Sequence, residues 1–138
     1  MDQTIKKIAS GWDKNPGATA ASVKQTEDQL NIRFPEDYVT FLLWSNGGEG
    51  NIGENYISLW KQEDIAILNR EYKIPEYLSN LRIAIGTDGG GICFGFDFTK
   101  DAAIFTCPLG DLDPDVANQV SASFKDFIER CLKEEVFD

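Results

Sequence analysis

Apolar positions recur every three or four residues in the first half of this chain and every two in much of the second. The first spacing keeps side chains on one face of a helix, and the second keeps them on one face of a strand. Ile5, Ile8, Ala9 and Trp12 form a short amphipathic helical stripe, which Asn15-Pro16-Gly17 breaks. Val23, Thr26 and Leu30 predict a second helix over about 22–31, capped either by Ser22 with Gln25 or by Thr19. Pro35 suits the first turn of a third helix, and Glu36 and Asp37 sit where the macrodipole favours negative charge. Tyr38, Phe41 and Leu42 are its inward stripe, and Asn46-Gly47-Gly48 ends it. Residues 56–60 alternate as a strand, and 62–72 read as a helix with Ile65, Leu68 and Tyr72 inward.

Three period-two runs follow. Leu81, Ile83 and Ile85 alternate with Arg82, Ala84 and Gly86. After Thr87-Asp88-Gly89-Gly90-Gly91, Ile92, Phe94, Phe96 and Phe98 alternate with Cys93, Gly95 and Asp97. After Thr99-Lys100-Asp101, Ala103, Phe105 and Cys107 alternate with Ala102, Ile104 and Thr106. Strands joined by short turns predict an antiparallel meander. An acidic loop holding Asp111, Asp113 and Asp115 leads to a last helix, whose apolar face is Val120, Phe124, Phe127, Ile128, Cys131 and Leu132. On its polar face Glu129 and Lys133 stand at the i, i+4 spacing of a favourable pair.

Helices, then a sheet, then a closing helix predict an α+β fold with helices packed on one face of a mostly antiparallel sheet. With Ile83, Ile85, Phe94 and Phe96 turned to the helices, Arg82, Ala84, Cys93, Gly95 and Asp97 face away. That second face is expected to be flat, either an ordinary solvated surface or one that receives a partner. A length of 138 residues fits a single domain over 1–138.

Charge narrows the function. The net charge is −10, and residues 101–138 carry 3 basic and 9 acidic side chains, so −6 of it lies there. Direct binding to nucleic acid needs a basic footprint, which this composition opposes. The acidity either steers a basic partner or keeps the protein in solution. No apolar run approaches the roughly 20 residues of a membrane span. The segment from Met1 to Lys7 lacks the apolar core of a signal peptide, so a cytoplasmic protein is expected.

With no histidine in the chain, Ser-His-Asp and Cys-His nucleophile systems are excluded, together with His-ligated zinc. Three widely spaced cysteines, Cys93, Cys107 and Cys131, read as structural thiols. The glycine run after Asp88 lacks the Lys-Ser/Thr ending of a phosphate loop and precedes a strand, so it reads as a turn. No catalytic, metal-binding or cofactor-binding residue is assigned, and no cofactor is expected.

Two stretches resemble the SUKH superfamily, in particular its group named after cell-wall-assembly regulators. Residues 27–42, with Glu27, Leu30-Asn31-Ile32, Phe34-Pro35, Glu36-Asp37-Tyr38 and Phe41-Leu42, are similar to that group's helix, Leu-x-Ile-x-Leu-Pro, acidic-aromatic and Phe-Leu pattern. Phe34 stands where Leu is common and Asn31 where Gly is common. Asn46-Gly47-Gly48, then Ile85-Gly86-Thr87-Asp88-Gly89-Gly90-Gly91 before a Phe-rich strand, then Ser123-Phe124-x-x-Phe127-Ile128, complete a likeness over 19–132. The resemblance implies helices against a mostly antiparallel sheet and a binding domain without catalytic residues. Bacterial members are typically immunity proteins that bind polymorphic toxins, many of them nucleases or other basic effectors. Eukaryotic relatives serve as regulatory interaction hubs, so a scaffold for an endogenous protein is the alternative.

The likeness carries over no set of contact residues. Candidates come from the sequence: Trp44, which lies off the inward stripe of its helix, and the carboxylates Glu49, Glu54, Asp88, Asp97, Asp101, Asp111 and Asp113. Tryptophan anchors interfaces, and a row of carboxylates can stand in for phosphates in a basic groove.

Overall fold

Among the described residues, seven strands follow one another in space in the order they follow in sequence, and every neighbouring pair is antiparallel. The structure, a computed structural model, describes residues 1–133. The last five residues of the expected 1–138 domain lie outside the described residues. The strands are β1 (Trp12–Lys14), β2 (Gly48–Ile52), β3 (Asn55–Leu59), β4 (Arg82–Thr87), β5 (Ile92–Asp97), β6 (Ala103–Pro108) and β7 (Asn118–Ser121). The helices around them are α1 (Asp2–Ile8), α2 (Ala20–Leu30), α3 (Glu36–Trp44), α4 (Ile65–Glu71), α5 (Ile74–Tyr77) and α6 (Phe124–Leu132). This is the expected α+β fold with a closing C-terminal helix.

The helix ends follow from local chemistry. Thr19 caps α2 in a reciprocal box with Ser22, which decides between the two cap positions that the sequence offered. Ser123 caps α6 through Asp126 N–H. Asp37 accepts from Tyr38 N–H within α3 and from Lys125 N–H at the start of α6, so one carboxylate joins two helix N-termini. Glu27 accepts from Phe34 N–H at 2.6 Å and holds the turn before α3. Glu27 and Asp37 of the 27–42 stretch therefore fasten the fold.

Three expectations shift. The first helix stops at Ile8, and Trp12 enters β1, where it pairs with Gly50. Trp12 still points into the core, so an inward aromatic fits both readings of the pattern. Gly48 has φ +119, and a side chain there would lie 2.6 Å from the Trp12 indole nitrogen, so glycine makes room for that ring. Its low strand propensity is also why β2 reads as a turn in the sequence. At the other end Val120 belongs to β7, and α6 begins only at Phe124. Glu129 turns to α1, accepting from Thr4 and pairing with Lys7 at 3.1 Å, where Lys133 was the expected partner.

The main core lies between the sheet and α1, α2, α3 and α6. Ile8, Val23, Tyr38, Phe41, Leu42, Phe124, Phe127 and Ile128 meet Ile52, Ile57, Ile83, Ile85, Phe94, Phe96 and Ile104. Tyr38 packs edge-on against Phe34, Phe96 and Phe124. Among the described residues its buried hydroxyl has no hydrogen-bond partner, and burial pushes the phenol well above its usual range. Tyr38→Phe is therefore expected to leave stability unchanged or to raise it by up to about 1 kcal/mol. A thermal melt checks this, and a clear loss would mean that the hydroxyl has a partner.

A second, smaller core corrects the open-face expectation. Ile74 and Leu78 of α5, with Leu109, Leu112, Ala117 and Trp60, cover Ala84, Cys93, Phe105 and Cys107 on the other side of the sheet. The second face is therefore covered over β4–β6, and among the described residues its β1–β3 half is left uncovered.

Candidate functional site: a carboxylate-rich face

Strand register fixes which side chains share that second face. Directly opposed residues run Asp13, Glu49, Ser58, Thr87, Cys93, Cys107 across six strands. Directly opposed residues on neighbouring strands project to the same side. Cys93 and Cys107 lie in the covered half, so Asp13 and Glu49 occupy the uncovered half of the same side, with Asn51 and Tyr56 two residues along. Asp13, Glu49, Asn51 and Tyr56 are all exposed.

Like charges directly opposite one another destabilise a sheet. Asp13 and Glu49 are such a pair, and Tyr56 relieves it only in part by donating its hydroxyl to Glu49. That hydrogen bond, with the charges of Glu49 and Asp13 adding to it, raises the Tyr56 phenol above its ordinary value. Beside them a depression of about 220 Å³ is bordered by Asp13, Glu49, Ser58, Lys61 and Asp64.

The face continues past β3. Gly89, at φ +81, leaves no room for a side chain against the Tyr56 ring, which places the β4–β5 turn beside that ring. Within the turn Asp88 accepts from the Gly90 and Ile92 N–H groups, as the turn reading expects. Gly91 then accepts from Leu109 N–H at 2.7 Å, tying the turn to the acidic loop. That loop folds over the second core, with Cys107 Sγ 3.7 Å from the Asp111 carbonyl and 3.9 Å from that of Asp113. Asp111 lines a groove of about 330 Å³ with Tyr72, Tyr77, Leu109, Gly110 and Leu112.

Four of the candidate residues thus come to one side of the sheet: Glu49, Asp88, Asp111 and Asp113. Sequence reasoning missed Asp13, Tyr56, Asp64, Tyr72 and Tyr77. Alternation could have offered Asp13 and Tyr56, but only once β1 and β2 were known to pair. Tyr72 was expected inward and is 42% exposed, stacked on Trp60 at 5.9 Å between centroids.

The other candidates lie elsewhere. Trp44 is half-buried, edge-on to Phe41, with Lys14 over its ring at 5.7 Å. Glu54 is exposed in the β2–β3 turn beside the end of α6, where Asn55 donates to the Cys131 carbonyl. Asp101 is exposed in the turn between β5 and β6.

Asp97 is buried under the second core's edge and meets Arg82 at 3.2 Å. Burial alone would raise its carboxyl, but the Thr99 hydroxyl and N–H and the Arg82 guanidinium outweigh it and hold the group below the usual carboxylate range. A lowered folded value means that the unfolded chain binds more protons, so this contribution to stability is present above the ordinary carboxylate pKa. It is expected to be lost as pH falls through the lower folded value, below about pH 4. Urea unfolding across pH checks this, with Asp97→Asn flattening that part of the curve.

The thiols are buried, and burial pushes Cys93 and Cys131 up to about 12 and raises Cys107 as well. At neutral pH they are protonated, which suits structural thiols. Among the described residues no group of three or more His, Cys, Asp or Glu side chains could hold a metal ion. No helix among them is long and apolar enough to cross a membrane.

The likeness carried by 27–42, the glycine turns and the closing helix can now be set beside a family model. The model of the SMI1 / KNR4 family (SUKH-1) matches residues 17–130. The chain belongs to the SMI1 / KNR4 family. No curated protein matches it. Membership points to a protein-binding domain of the immunity or regulatory kind. In this family member the matched stretch holds Glu27 and Asp37 in structural hydrogen bonds, while Asp13, Glu49 and Asp111 are exposed on the far side of the sheet.

Proposed function

We propose that this SMI1 / KNR4 family member is an immunity protein of the cytoplasm that has no turnover of its own. It neutralises a toxin domain, of the basic nuclease kind, by docking its carboxylate-rich side over the toxin's catalytic groove. The observation that carries the reading is the Asp13–Glu49 pair: two carboxylates directly opposed on an uncovered sheet face, a repulsion that a basic partner surface would relieve beyond what nearby Lys61 supplies. Asp64, Asp88 and Asp111 extend the same sign of charge toward the groove, which favours fast, steered encounter with a basic surface.

The test is protection. Cells expressing a candidate toxin domain should grow when the protein is co-expressed, and titration calorimetry of the purified pair should give one-to-one binding. Toxin domains that kill regardless, with no complex in titration, would sink the immunity reading and leave a scaffold for an endogenous protein. Hydrolysis of nucleotides or glycans by the purified protein would overturn the non-enzymatic reading.

A further inference from the structure

The groove between α5 and the acidic loop has a more specific geometry than the rest of the face. Tyr72 and Tyr77 are 42% and 50% exposed and line one groove, so both rings offer surface to a ligand. Tyr72 is held by Trp60, stacked 10° from parallel, so its orientation is fixed while the ring lines the groove. Tyr77 is fixed through α5, whose Ile74 and Leu78 are sunk in the second core. Lys73, at φ +62, makes the sharp turn between α4 and α5 that brings the two rings to one groove. The opposite wall is pinned by Leu109 N–H on Gly91 and by Asp111 N–H on the Pro108 carbonyl at 3.1 Å. Among the described residues six line the groove, and the one charged side chain among them is Asp111; Lys73 lies in the same turn but does not line it.

We propose that this groove takes an arginine side chain presented by a basic segment of the protein partner. The inference rests on the docking side proposed above and names its anchor. Flat aromatic faces beside a carboxylate suit a guanidinium, which stacks on rings and forks to a carboxylate. An ammonium stacks less well, and an anionic side chain is repelled by Asp111 with Asp113 and Asp115 close along the loop. An aliphatic side chain would leave Asp111 without a counter-charge.

The experiment needs no partner. A capped Gly-Gly-Arg-Gly-Gly peptide is titrated into the isotope-labelled full chain, and backbone amide shifts are followed. Saturable shifts centred on Tyr72, Tyr77 and 109–112 are expected, with the lysine counterpart weaker by about fivefold. Tyr72→Leu, Tyr77→Leu and Asp111→Asn should each weaken the arginine peptide by about the same factor. Both tyrosines and Asp111 are exposed, so an unchanged spectrum elsewhere shows that each variant is folded. Shifts spread over the acidic face, equal response to lysine, no response, or unchanged binding in the variants would each overturn the proposal. A chain that protects cells but ignores the peptide sinks the groove alone. One that takes the peptide but protects no cell sinks the immunity reading alone.

Discussion

Asn69→Ala is expected to destabilise the protein by about 3–4 kcal/mol, a large share of a small domain's stability. Among the described residues β3 pairs with β4 at Gly86 and Thr87 alone, and no strand covers the rest of that β4 edge. Asn69 of α4 fills the gap with its side-chain amide. Its nitrogen donates to the Ala84 carbonyl at 2.8 Å, and its oxygen accepts from Ala84 N–H at 2.9 Å, as a backbone partner would. The same nitrogen donates to Ile65 in its own helix at 2.8 Å. Asn69 and Ala84 are both buried, so truncation strands a donor and an acceptor away from water. Each such loss costs about 1–3 kcal/mol, and the small cavity adds to it. Urea unfolding should show a lower midpoint with an unchanged slope. A loss below about 1 kcal/mol would mean that the β4 edge finds other partners.

The second large effect separates binding from folding. Glu49→Lys combined with Asp111→Lys is expected to slow association with the proposed protein partner by about tenfold to a hundredfold at low salt. Raising the salt should shrink the difference, because charges on an open face are screened over about 10 Å. Stability should change little. Glu49→Lys replaces a like-charge pair across from Asp13 with an opposite-charge one, while Tyr56 loses its acceptor, and Asp111 is exposed. Stopped-flow association at two salt concentrations, beside a thermal melt, reads both quantities. An unchanged rate in a folded variant would remove this face from the interface. A collapsed melt would show that the carboxylates hold the fold.

The stripes of α2, α3 and α6 and the meander of β4–β6 were legible because each buries one face, and burial imposes its period on the sequence. The features of the candidate site were less legible. Asp97 and Glu49 look alike along the chain, each an acid alternating with small or apolar neighbours. Asp97 is sealed by Arg82 and Thr99, whereas Glu49 is open, because α5 and the acidic loop reach across β4–β6 and stop short of β1–β3. No local pattern records how far a distant segment reaches. Tyr72 shows the same limit: helical spacing assigned it inward, but α4 ends at Glu71 and the Lys73 turn swings the ring onto Trp60.

The sequence by itself determined the fold class, the family, and the lack of histidine-based chemistry, because periodicity, turn residues and composition are properties of neighbouring positions. Only the tertiary structure decided where the charge lies. The register of β1 on β2 set Asp13 against Glu49, and a turn between two short helices brought Tyr72 and Tyr77 to Asp111. Those are pairings between residues far apart in the chain, and packing energy settles them only when the whole sheet is assembled.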